Sequence, residues 1–198
     1  MQYSKRVSAH LLSAIVALFV LSAGSDLGLA ADTAAAPKGE LVAAAWQHRH
    51  VNFTYYGITS LYSCDGLETN IRALLLYLGA RKDAKVRANG CPNGSSVPGP
   101  NAIVDVDFYT LSPSTDSNAP DTVQAQWSPV EVSRRHPSFL GEGDCELINE
   151  MKDLITKNFS LRDVAYRTDC VPRQLVIDSF SIKAQVLKAI TTPQATKG

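Results

Sequence analysis

The sequence predicts an α+β fold: about six strands in a mixed or antiparallel sheet, two helices packed on one face, and two disulfides. Three observations carry this expectation. Several short segments alternate apolar and polar residues at the two-residue period of a strand. Two longer segments put their apolar residues on one stripe of a 3.6-residue helix. All four cysteines stand in two like frames, in which one cysteine opens a helix and a second closes the strand after it.

In chain order, residues 1–30 read as a secretory signal. Lys5-Arg6 give a positive start, Leu11 to Ala23 form an apolar run, and Gly28-Leu29-Ala30 offer small residues for cleavage. The run is shorter than the roughly 20 residues a membrane-spanning helix needs, which argues against a retained anchor. No cysteine follows it closely for lipid attachment. Residues 31–45, alanine-rich around Pro37-Lys38-Gly39, read as a flexible lead-in whose end can extend the first strand. Removing Lys5, Arg6 and Asp26 leaves 17 basic and 18 acidic residues, a balance that argues against a nucleic-acid partner.

The first strand places Val51, Phe53 and Tyr55 on one face, with Asn52, Thr54 and Tyr56 on the other. A helix follows from Cys64, with Leu67, Ile71, Leu74, Leu75 and Leu78 on its stripe. Asp65 and Glu68 have the form of a capping box, and Gly79 with Arg81-Lys82 supplies the stop. Ala84, Val86 and Ala88 then alternate with Lys85, Arg87 and Asn89 up to Gly90-Cys91. Strict alternation turns Cys91 away from the helix, so a bulge at Gly90 is expected to restore its facing.

After a Pro/Gly/Ser-rich loop, Ala102, Val104, Val106 and Phe108 alternate with Asp105, Asp107 and Tyr109. The next strand sets Val123, Ala125 and Trp127 against Gln124 and Gln126, and the two are expected to form a long-looped hairpin. The frame then recurs. Ile148, Ile155 and Phe159 lie at the same offsets from Cys145 as Leu67, Leu74 and Leu78 do from Cys64. Val164, Tyr166, Thr168 and Cys170 alternate along a further strand, on its core-facing side, and Val176 and Phe180 repeat the spacing of Val104 and Phe108.

The chain therefore reads as a single domain, 46–190, made of two β-α-β-β repeats (about 46–111 and 121–190), with a flexible tail at 191–198. Exported cysteines pair in an oxidising compartment, and the repeat selects Cys64–Cys91 and Cys145–Cys170 from the three possible pairings. No C-x-x-C spacing supports a structural zinc site.

Chemistry is harder to find. Asp105, Asp107 and Tyr109 share a strand face, as paired carboxylates of a hydrolase do, although a solvated face with Lys85, Arg87 and Arg167 as ion-pair partners accounts for them equally. His48-x-His50, with His136, supplies three imidazoles for a zinc or copper site, although a solvated strand entrance explains the first two. The glycine-containing loop before Cys145 carries Glu142 and Asp144, which repel phosphate and suit helix capping. No G-x-S-x-G, H-E-x-x-H or G-x-G-x-x-G is present, and no cofactor is expected.

The stretch Tyr62-Ser63-Cys64-Asp65-Gly66-Leu67-Glu68, with Leu78-Gly79-Ala80-Arg81-Lys82-Asp83, resembles exported Gram-negative proteins of unassigned function. That resemblance implies a periplasmic or secreted address and no particular activity. The reading favoured by the sequence is a noncatalytic exported protein that binds another protein or an envelope component, without membrane insertion once the signal is removed. A hydrolase and a metal-binding protein are the alternatives.

Overall fold

A computed structural model describes residues 40–58, 60–91, 95–115, 121–140, 145–171 and 180–190. The expected signal, the expected lead-in up to residue 39, Glu142 and Asp144, Val176 and the expected tail lie outside the described residues. The elements are β1 (Leu41–Tyr56), α1 (Cys64–Tyr77), β2 (Lys85–Asn89), β3 (Asn101–Pro113), β4 (Thr122–Ser133), α2 (Cys145–Asn158), β5 (Leu161–Thr168) and β6 (Phe180–Ala189). They form an α+β fold with one sheet in the order β2-β3-β1-β4-β6-β5, every neighbouring pair antiparallel.

The expected β3–β4 hairpin does not form. β3 lies between β2 and β1, and β4 lies between β1 and β6, so β1 separates the two strands that the long loop was expected to pair. Alternation identifies a strand but not its neighbour, and here β1 offers both of its edges. The first strand also begins at Leu41, because Leu41 to Ala45 pair with Thr122 to Gln126 of β4. Beyond Ala45, β1 leaves β4 and continues beside β3 alone. β3 and β6 come into contact although β1 and β4 stand between them, so the sheet curls at the β1–β4 seam.

One face of the sheet carries both helices. Leu67, Ile71, Leu74 and Leu75 of α1 and Leu147, Ile148, Met151, Leu154 and Ile155 of α2 are buried in one cluster. The strands contribute Tyr55, Val86, Val104, Val106, Phe108, Val132, Ile182 and Val186 to it. Thr110, fully buried on this face, donates its hydroxyl proton to the Asn158 carbonyl at 2.8 Å, which satisfies it and ties β3 to the end of α2. Among the described residues no helix is long and apolar enough to cross a membrane.

The opposite face holds a second, smaller cluster: Ala44, Leu111, Ala125, Trp127 and Leu187, flanked by Val42, Trp46 and Val123. Val123, Ala125 and Trp127 therefore bury themselves as their alternation requires, but on the side away from the helices. Their register shows this, since Ala44 lies opposite Val123 and Trp127 opposite Leu187. Two guanidinium groups cover the indoles. Arg162 stands 4.0 Å over Trp127, and Arg81 lies 5.9 Å from Trp46 and 3.5 Å from Tyr109.

Both disulfides join the expected cysteines, Cys64–Cys91 and Cys145–Cys170, with Cα atoms 6.0 and 5.9 Å apart. The facing of Cys91 is set by Gly90, whose φ is +77°, just past the last paired residue of β2. A left-handed residue at the strand end turns the chain, so no bulge within the ladder is needed. α1 is capped differently from the expected box: the Ser63 hydroxyl accepts from the Gly66 amide at 3.0 Å. Glu68 instead reaches β2 and accepts from the Ala88 amide at 2.8 Å. β5 is an edge strand with most of its side chains exposed, including Val164 and Tyr166. Its bulge lies between Arg162 and Ala165, where Asp163 has φ +52°.

Candidate functional site

Directly opposite residues on neighbouring strands share a face, so the register assembles the open face of β2, β3 and β1 row by row. His48 lies opposite Tyr109. His50 lies opposite Asp107, which has Lys85 on its other side. Asn52 lies opposite Asp105, which has Arg87 on its other side. The two candidate groups that the sequence holds apart, the imidazoles of β1 and the carboxylates of β3, thus occupy one surface. The Leu41–Tyr56 strand brings His48 and His50 to the same side because they are two residues apart, and its pairing with β3 does the rest.

The contacts run diagonally. Nε2 of His48 is 3.0 Å from Oδ2 of Asp107, and Nε2 of His50 is 3.4 Å from Oδ2 of Asp105. Nδ1 of His50 lies 4.0 Å from Oδ2 of Asp107, which therefore sits between the two rings. The rings of His48 and Tyr109 are 5.0 Å apart, tilted by 48°. All four charged or chargeable side chains are 39–58 % exposed, so the site is a surface and not a cleft.

At the Tyr109 end of this surface, Arg81 closes the array. Its amide donates to the Tyr109 carbonyl at 3.0 Å. Its guanidinium lies on the Tyr109 ring and holds Asp83 through two hydrogen bonds, of 2.9 and 2.7 Å. Those bonds keep the Asp83 carboxyl below the usual aspartate value and raise the Arg81 guanidinium further above neutrality. Sequence reasoning placed Arg81 at a helix terminus, as a charge for the last turn. The signal that finds it is the register between Tyr109 and His48, which no local pattern reveals.

The other expected participants are elsewhere. His136 follows β4, where its backbone bridges to Ser133, and it does not join His48 and His50. Among the described residues no three His, Cys, Asp or Glu side chains are placed to hold a metal ion, so the three-imidazole set does not assemble. Arg167 lies on edge strand β5, with its Nη2 3.4 Å from Oδ2 of Asp169, across the sheet from Asp105 and Asp107. Lys85 and Arg87 do flank the two carboxylates, as expected of ion-pair partners on a strand face.

Comparison with protein-family models, with curated proteins and with solved structures finds no match to this chain. Two disulfides are compatible with an extracytoplasmic protein.

Proposed function

We propose that this is an exported, noncatalytic protein of the periplasm or cell exterior, which binds a protein or envelope component through the open face of β1 and β3. We further propose that the chain is a duplication, β1-α1-β2-β3 followed by β4-α2-β5-β6. The strand order supports this, since the halves read β1-β3-β2 and β4-β6-β5 outward from the seam.

The pairing of Ala43 with Gln124 supports it further. The same interval, 81 residues, carries Val42 to Val123, Ala44 to Ala125, Trp46 to Trp127, Cys64 to Cys145 and Arg81 to Arg162. β3 maps to β6 at an interval of 76, which carries Pro113 to Ala189 and Leu111 to Leu187, and carries Phe108 to Ala184 in place of the Phe180 that the sequence spacing suggests. The residues that build the buried seam are thus the same in both halves.

The observation that carries the functional reading is what the halves do not share. His48, His50, Asp105, Asp107 and Tyr109 map to Pro129, Glu131, Ser181, Lys183 and Gln185. The second half folds with the charge-reversed pair Glu131–Lys183 in the place of His50 and Asp107, and with Pro129 and Gln185 in the place of His48 and Tyr109, so ordinary ion pairing on this face does not call for imidazoles. The solvent exposure of the His–Asp ladder favours docking over catalysis, so the hydrolase reading of Asp105, Asp107 and Tyr109 is the weaker one. The metal reading loses His136 as its third imidazole.

The test compares wild type with the Asp105→Asn, Asp107→Asn double variant for retention on envelope fractions and for turnover of esterase, glycosidase and peptidase substrates. The variant is expected to melt within about 0.5 kcal/mol of wild type, as exposed substitutions do, and to lose retention, with no turnover by either protein. Turnover by wild type that the variant lacks would replace the docking reading with the hydrolase.

A further inference from the structure

The second half carries a different feature at the equivalent place. An open depression of about 430 Å³ lies along β4 and β6 beside the β5 bulge. Small-molecule sites have volumes of about 300–1,000 Å³. Pro129 lies opposite Gln185, and Glu131 lies opposite Lys183. Two residues of β5 bulge opposite Ala184, and Asp163, at φ +52°, accepts a 2.6 Å hydrogen bond from the Gln185 amide through Oδ2. Lys183 Nζ is 3.5 Å from Oε2 of Glu131, with both side chains open to solvent. The ring of Tyr77, held by its hydroxyl on the Glu131 backbone carbonyl at 2.9 Å, forms one wall.

On the duplication proposed above, the first half fills this place with His48, Tyr109 and the stacked Arg81. The smaller Pro129 and Gln185 leave it open, and Arg162 is drawn away to Trp127 and Glu40.

We propose that this depression binds a small zwitterion, a free amino acid by chemical class. Two carboxylates, Glu131 and Asp163, suit an ammonium group, and the single Lys183 ammonium suits a carboxylate. Pro129 and the Tyr77 ring offer apolar surface to a side chain. A ligand with only one of the two charges contacts either Lys183 or the carboxylates and not both, which costs affinity relative to the zwitterion.

The test is a heteronuclear NMR titration of the full chain with each free amino acid. For any that binds, its amine-only and carboxylate-only analogues follow. Saturable shifts at Ala184 and Gln185 are expected with at least one amino acid, and both analogues should bind about tenfold more weakly or less. Asp163→Asn, which keeps a residue tolerant of the left-handed backbone, and Lys183→Met should each weaken binding by a similar factor. Asp105→Asn should change nothing, which separates this site from the docking face. No saturable response to any amino acid, equal binding of the amine-only analogue, or binding indifferent to Asp163→Asn would overturn the proposal.

Discussion

Asp107 accepts from one imidazole at 3.0 Å, lies 4.0 Å from another, and has Lys85 across the strand. Ion pairs this exposed contribute about 0–1 kcal/mol each, so the ladder is a poor source of stability. Its composition calls for another explanation, and recognition supplies one. Arg81 and Asp83 are different in kind, because a two-bond pair stacked on Tyr109 orders a turn. Asp83 has its carboxyl lowered in the folded state, so its contribution is present at neutral pH and disappears as pH falls through that lowered value. Asp83→Asn is therefore expected to reduce the melting temperature slightly at neutral pH. The gap from wild type should close in strong acid, as thermal melts across a pH series would show.

At the scale of elements, each helix is tied to the strand after it. The paired cysteines are 27 and 25 residues apart in sequence, for which the chain-entropy estimate is about 3–4 kcal/mol each. Cys64→Ala and Cys170→Ala should each lower stability by about that amount in denaturant titrations, against a total of about 5–15 kcal/mol for a typical domain. Gly90 makes the first tie geometrically feasible. A Cβ added there would stand in open space, so Gly90→Ala meets no clash and suffers only the left-handed backbone penalty of about 1–2 kcal/mol. Gly90→Asn should recover part of that loss in the same assay.

The helices and their ties were legible in the sequence because stripe, cap residues and cysteine lie within one local stretch. The Ser63 cap was misread as an Asp65–Glu68 box, since Glu68 has a competing partner in the Ala88 amide, 20 residues away. β5 was misread as core-facing because edge position is a tertiary fact, while Val164 and Tyr166 alternate as a buried strand does.

At the scale of the whole molecule, the curled sheet is held by two clusters, one under the helices and one across the seam. Periodicity gave the strands and which residues of each share a side. It did not give the order, so the seam and the meeting of His48 with Asp107 were both invisible to it. Because Leu111 and Leu187 both belong to the seam cluster, truncating either should destabilise both halves together. Leu111→Ala and Leu187→Ala are each expected to cost about 2–5 kcal/mol. Circular dichroism and tryptophan fluorescence should still report one coincident transition; two separated transitions would mean that the halves fold independently.

The docking face is tested most directly by a photo-crosslinking amino acid placed at Asn52, beside Asp105 on the open face, in protein exported by a Gram-negative host. The control position is Ser133, which the proposed duplication, at its 81-residue interval, makes the counterpart of Asn52. The account predicts a discrete adduct from position 52 that disappears when Asp105→Asn and Asp107→Asn are added, and none from position 133. No adduct at 52, or the same adduct from both positions, would contradict it.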